Sequence, residues 1–194
     1  MVKYQDLINI KVNECGEQFV SLQKFLIRES VAKKIIEADK NLKNLQPEYR
    51  LIINCGYRSL KVQTKIFLKI LSKICKNFYP NPIDLYEIVH QLIAVPTVAG
   101  HPTGGAVDIA IFDKKKDKII DFGSKIDDLS AKNLSVFSRN ISKEAKKNRL
   151  LLRKIMLAVG FAPFDGEWWH FSYGDREWAF YYKKKCAIYD QIKN

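Results

Sequence analysis

The stretch Ala99-Gly100-His101-Pro102-Thr103-Gly104-Gly105-Ala106-Val107-Asp108-Ile109-Ala110-Ile111-Phe112-Asp113 decides the fold. From Ala106 to Phe112 every residue but Asp108 is apolar, the pattern of a buried strand. Gly104-Gly105 stands at its head, where glycine tolerates the positive φ of a tight turn. His101 lies before the turn and Asp108 after it. Seven extended residues would separate them by roughly 23 Å. Their side chains therefore meet only if the chain reverses at the glycines. The strand then holds Asp108 on a rigid element.

Outward from this strand the chain reads as alternating helices and short strands. Upstream, Val31, Ile35, Ala38, Leu42 and Leu45 recur every three or four residues between Glu29 and Leu45. That is one face of an amphipathic helix, with Ser30 as its cap and Pro47 as its stop. Arg50 to Cys55 is a β-branched run, read as a strand ending at Gly56-Tyr57-Arg58-Ser59. A helix follows from about Leu60 to Lys76, with Val62, Ile66, Ile70 and Ile74 on one face. After Pro80-Asn81-Pro82 a third runs from Ile83 to Ala94. Residues 1–28 read as irregular or strand structure anchored by Phe19, Val20 and Leu22. Downstream, a polar turn at Lys114 to Asp117 and a strand at Lys118 to Asp121 predict a hairpin with the Asp108 strand. Ser142 to Val159 is a fourth helix, closed by Gly160 at its C-cap. Glu167 to Tyr173 is aromatic and strand-like, and the tail from Arg176 to Asn194 fits helix or strand. No repeat or linker interrupts this order. The pattern predicts an α+β fold, a single domain over residues 1–194, with a small, mostly antiparallel sheet and helices packed against it.

The 194 residues are enough for one good core, and 47% are hydrophobic, which places the chain among globular proteins. No apolar run is long enough to span a bilayer. The first residues, Met1 to Asp6, lack the charged-then-apolar pattern of a secretory signal, so a cytoplasmic location is expected. Cys15, Cys55, Cys75 and Cys186 form no CxxC pair and read as reduced thiols, some of them buried. The net charge of +12 is concentrated at Lys114–Lys116 and Lys183–Lys185. These clusters are short and carry no nucleic-acid motif, so they read as a solvated surface.

A second stretch, Glu167-Trp168-Trp169-His170, supplies another histidine and another carboxylate. Two imidazoles and one carboxylate are the donor set of a hydrolytic zinc, which keeps one position open. A zinc ion lowers the pKa of a bound water to about 7, and a base must then carry the proton to the leaving amine. His101, Asp108 and His170 are the candidate ligands, and Glu167 is the candidate base. On a regular strand Glu167 and His170 would face opposite sides, and Gly166 is where the entry can bend. Trp168 and Trp169 are expected to supply apolar walls that keep out bulk water, a role compatible with their being core aromatics. Arg58, at a strand-to-helix turn, is the candidate positive group for an oxyanion. His90, in the third helical pattern, reads as a structural histidine.

These motifs, taken in order, resemble the zinc D-alanyl-D-alanine dipeptidases, the family that includes the vancomycin-resistance dipeptidase. The resemblance runs from about Leu22 to Tyr182. It rests on Gly56-Tyr57-Arg58, on His101 with Gly104, Ala106 and Asp108, and on Glu167-Trp168-Trp169-His170. Gly123-Ser124-Lys125-Ile126-Asp127 and Asn148 to Phe161 add to it. It implies the family's DD-peptidase fold, also called hedgehog-like, and one zinc held by His101, Asp108 and His170. It further implies Glu167 as base, Arg58 as stabiliser of the transition state and Asp127 as receiver of the substrate ammonium. Tyr57 and Trp169 are implied to border the substrate, which is the free dipeptide D-Ala-D-Ala. Three positions depart from the family pattern: Ala99 replaces a serine, Cys55 an aspartate and Ser59 a proline. The N-terminal segment that helps form the pocket in relatives has no clear match. Two rival readings are a D,D-carboxypeptidase trimming cell-wall peptides and a non-catalytic, zinc-stabilised binding module. No oligomeric state follows from the sequence.

Overall fold

The computed structural model describes residues 2–13, 16–76, 81–126, 128 and 133–192. The N-terminal part holds a short helix, α1 (Tyr4–Ile8), which the apolar pattern does not reveal because the helix has only one buried residue, Leu7. Strand β1 (Lys11–Val12) follows, then the hairpin of β2 (Phe19–Leu22) and β3 (Phe25–Arg28). Helix α2 (Glu29–Leu45) buries the expected Val31, Ile35, Ala38 and Leu42, while Leu45 stays exposed. Its N-cap position is Arg28, not Ser30.

The sheet is built around the quoted stretch. Strand β4 (Tyr49–Cys55) pairs antiparallel with β5 (Ala106–Asp113), the strand that carries Asp108. The predicted hairpin joins β5 to β6, which is shorter than expected at Lys118–Ile119. On the other edge of β5 lies β8 (His170–Ser172), and beyond it β7 (Ala162–Pro163). All pairings in this sheet are antiparallel, in the order β4-β5-β8-β7. The observed class is therefore α+β. Helices α2 and α5 (Lys143–Ala158) pack with the sheet through a core that includes Ile35, Leu51, Ile109, Ile111, Leu152 and Phe171. Ser142 caps α5 by accepting from the Ala145 N–H, and Gly160 ends it at φ +87°.

Helices α3 (Leu60–Cys75) and α4 (Pro82–His90) form a second apolar cluster with α1, centred on Phe67, Leu85 and Val89. Here the face of α3 differs from the expected one. Gln63 and Phe67 are buried and Val62 is 46% exposed. The helix turns its Phe67 side to α4, and Ile66, Ile70 and Ile74 stay only partly buried. The ambiguous tail resolves into α6 (Arg176–Tyr181) and β9 (Cys186–Ala187), and β9 pairs in parallel with β1.

Candidate functional site

The central strand brings the first donors together. Opposite Asp108 on β5 stand Cys55 of β4 on one side and His170 of β8 on the other. Directly opposed residues project from the same face about 5 Å apart. The Cys55 pairing depends on a bulge. Ile53 faces Ile109 and Cys55 faces Asp108, so Asn54 is the extra residue. Bulges of this kind re-aim side chains near sites.

His101 reaches the same place from the 3₁₀ turn His101–Thr103, which Gly104 ends at φ +73°. A side chain on Gly104 would also strike the Phe19 ring, so glycine is required there on two counts. The Nε2 of His101 lies 3.3 Å from Oδ2 of Asp108, and Nδ1 of His170 lies 3.0 Å from Oδ1. One carboxylate thus faces both imidazoles. The far nitrogen of each ring also meets an acceptor. Nδ1 of His101 is 2.7 Å from the Gly56 carbonyl, and Nε2 of His170 is 3.5 Å from Oε2 of Glu177 on α6. A carbonyl only accepts, so His101 carries hydrogen on Nδ1 and turns Nε2 to Asp108.

Charge balance follows from this arrangement. Burial works against protonation of His101, but the Asp108 carboxylate outweighs it and lifts the pKa to about 9. The pKa of His170 is raised well above the usual value against the same burial, by Asp108 and Glu177 together. Asp108 is pushed below the usual carboxylate range by the two imidazoles, in spite of burial. Two neutralisable imidazoles around a firmly ionised carboxylate suit a divalent cation of the zinc type. Cys55 adds a further donor type, since one ligand atom each of Cys55, His101 and Asp108 lies within 4.8 Å of the others. With no CxxC pair, the sequence held no pointer to this thiol. The thiol arrives only through the bulge and the β4–β5 register.

Glu167 also joins the cluster, although not from a strand. Residues 167–169 form a turn, with the Glu167 N–H bonded to the Phe164 carbonyl and the His170 N–H to the Glu167 carbonyl. The expectation of a strand through Glu167 is corrected accordingly, and the conflict over facing disappears. Burial raises the Glu167 pKa to about 7, with Asp108 and Glu177 adding to the rise and the two imidazoles opposing it.

Arg58, His101, Asp108, Glu167 and His170 all line one cavity of about 340 Å³, together with Glu177. The Arg58 Nε is buried with no hydrogen-bond partner among the described residues. Trp168 and Trp169 are not among the lining residues. Trp168 stacks on Phe122 at 3.9 Å and donates to the Ser124 hydroxyl, and Trp169 lies in the main core. Both are core aromatics, and neither forms a wall of this cavity. Tyr57 is half-buried with its ring edge against Phe19 and is also absent from the lining. Asp127 lies outside the described residues.

Three polar lining residues, Glu177, Gln63 and His90, escaped the sequence reading. Glu177 sits in a helix turn that carries no motif. Gln63 hides in an α3 face whose apolar residues pointed elsewhere. His90, read as structural, is bonded at Nδ1 by the Val95 N–H and borders the cavity as well. Val2 and Leu7 also line it, so the N-terminal segment contributes to the pocket after all. Cys55, Cys75 and Cys186 are free and half-buried, and none is fully buried.

The sequence places the chain among the M15 peptidases. It belongs to the D-ala-D-ala dipeptidase family, whose model matches residues 10–191. The D-alanyl-D-alanine dipeptidase of Synechocystis is 28% identical over 202 residues, covering 92% of this chain and 81% of the relative. That of Enterococcus faecalis is 27% identical over 129 residues, covering 64% and 62%. Among solved structures, VanYB in complex with D-Alanine-D-Alanine superposes with a TM-score of 0.55 at 17% identity, over 94% of this chain and 95% of that one. A mutant vancomycin-resistance D,D-pentapeptidase, VanY, in complex with Zn(II) gives 0.53 at 16%, over 94% and 96%. At these identities the structural likeness is one of fold. No helix among the described residues is long and apolar enough to cross a membrane.

Proposed function

We propose that the chain hydrolyses D-Ala-D-Ala, with His101, Asp108 and His170 holding one zinc ion, Glu167 as base and Arg58 facing the oxyanion. The observation that carries this reading is the convergence of both imidazoles on the two oxygens of Asp108, with Glu167 in the same cavity. A zinc ion held there would supply Lewis acidity toward the scissile carbonyl and toward water. Glu167 takes the proton of the attacking water and returns it to the leaving amine. Its burial makes it more basic than an ordinary carboxylate. The Nε of Arg58, which has no partner among the described residues, is the donor proposed for the oxygen that gains charge. Asp127 is proposed to pair with the substrate ammonium, which selects a free dipeptide over the end of a long peptide. A cytoplasmic site of action belongs to the same reading, and fractionation checks it.

The test compares free D-Ala-D-Ala with its N-acylated form on the zinc-loaded protein and on Glu167→Gln. Cleavage of the free dipeptide is expected, with turnover lost in the variant while zinc stays bound. Preference for the acylated form would favour a carboxypeptidase. Zinc binding without any peptidase activity would favour a binding module.

A further inference from the structure

The cavity does not end at the cluster of imidazoles and carboxylates. At about 340 Å³ it falls within the range of pockets that take drug-sized ligands, ~300 Å³ upward. D-Ala-D-Ala offers such a pocket only two methyl side chains. The remaining wall comes from α1, α3 and the segment after α4, and is apolar at Leu7, Ile66, Leu92, Ile93 and Val98.

Two polar groups are set into this apolar wall. Gln63 is fully buried, and its Nε2 donates to the Ala94 carbonyl at 2.8 Å. Because a carbonyl only accepts, the amide orientation is fixed, and Oε1 is left as a buried acceptor. It has no partner among the described residues. His90 is 5% exposed and accepts the Val95 N–H at Nδ1, 3.3 Å away. An imidazole that accepts at one nitrogen carries its hydrogen on the other, so Nε2–H is a donor. A buried acceptor without a partner is costly unless something else pairs with it. Ala99, buried in the same lining, adds only a methyl group.

We propose that one of the two substrate positions takes a D-residue larger than alanine. Its side chain has an apolar stem, which lies along Ile66, Leu92 and Ile93. Its tip both donates and accepts, as a carboxamide or hydroxyl does, and pairs with Gln63 Oε1 and His90 Nε2–H. The inference rests on the D,D-dipeptidase reading above.

The experiment measures kcat/KM of the zinc-loaded protein for D-Ala-D-Ala, D-Ala-D-Gln, D-Gln-D-Ala and the two D-Leu counterparts. Calorimetric affinity for zinc-loaded Glu167→Gln gives a second ranking that does not depend on turnover. One D-Gln dipeptide is expected to exceed its D-Leu counterpart about tenfold in both measurements. Gln63→Leu should abolish that ratio, whereas a purely structural loss would lower both dipeptides alike. Ile66→Trp, which narrows the wall without touching the polar pair, should depress the longer dipeptides relative to D-Ala-D-Ala. Cleavage of D-Ala-D-Ala at least tenfold faster than every longer dipeptide would overturn the inference and leave the dipeptidase reading standing. So would a D-Leu dipeptide matching its D-Gln counterpart. Failure of the folded, zinc-loaded protein to cleave any D,D-dipeptide would sink the dipeptidase reading and the inference with it.

Discussion

Glu177 places Oε2 3.5 Å from Nε2 of His170, on the opposite edge of the ring from Asp108. A carboxylate at that position fixes the tautomer, leaves Nδ1 for a cation and raises the basicity of the ring. Glu177→Gln keeps the shape and removes the charge. Competition against a chelator should show metal affinity reduced about 10- to 100-fold, with the protein still folded. Unchanged affinity would mean that the ring is held by packing alone.

Protons and cation compete for the same imidazoles. In the metal-free protein His101 has a pKa of about 9, and that of His170 is also well above 6.5. Loading at pH 7 should therefore release protons from both rings, and calorimetry in buffers of different ionisation enthalpy counts them. The same shifts set the stability of the metal-free form. A folded pKa above the unfolded one stabilises fully below pH 6.5, and that contribution is lost as pH rises through about 9. Thermal midpoints of the metal-free protein should fall across that window. The zinc-loaded protein should not follow, because there the proton has already gone.

The pH profile of turnover has a different origin. Glu167 acts as a base only when ionised, and burial has moved its pKa from 4.5 to about 7. A bound cation opposes that rise. The acid limb of kcat/KM is expected between those two values, with activity increasing as pH rises through it. A limb at or below 4.5 would count against Glu167 as the base.

What the sequence revealed depended on whether the pattern was local. The β5 strand, α2 and α5 carry strong periodicity or runs of apolar residues, and their limits came out within a few residues. His101, Asp108, Glu167 and His170 stood in short motifs, and the structure brings all four to one cavity. Residues that enter the site through tertiary pairing had no such local signal. Cys55 is aligned by a bulge two strands away from His170. Glu177, Gln63 and His90 come from helices whose neighbours say nothing about a cavity. The turn at Glu167–Trp169 was misread because aromatic residues favour strands. Here Trp168 and Trp169 fill the core from a turn instead.

Arg149 ties down both sides of the segment that contains Asp127. Fully buried, it donates to the carbonyls of Phe122, Asn133 and Ser135 and to the Ser124 hydroxyl. Arg149→Met strips partners from several carbonyls at once. Chemical denaturation should show a loss of about 3 kcal/mol. If Asp127 binds the substrate ammonium, KM for D-Ala-D-Ala should rise more than kcat falls.

Arg58 gives the sharpest separation of binding from chemistry. It follows the strand end at Cys55, and its backbone N–H bonds the His101 carbonyl at 3.4 Å, so its position is tied to that of a donor in the cluster. Its buried Nε has no partner among the described residues. A donor held ready in this way is worth most when the oxygen opposite gains charge. Arg58→Met removes the donor and keeps the length of the side chain. Turnover should fall about 100- to 1000-fold, while the affinity of the zinc-loaded Glu167→Gln protein for D-Ala-D-Ala changes much less when Arg58→Met is added to it. An equal loss in both would place Arg58 on the bound substrate rather than on the transition state.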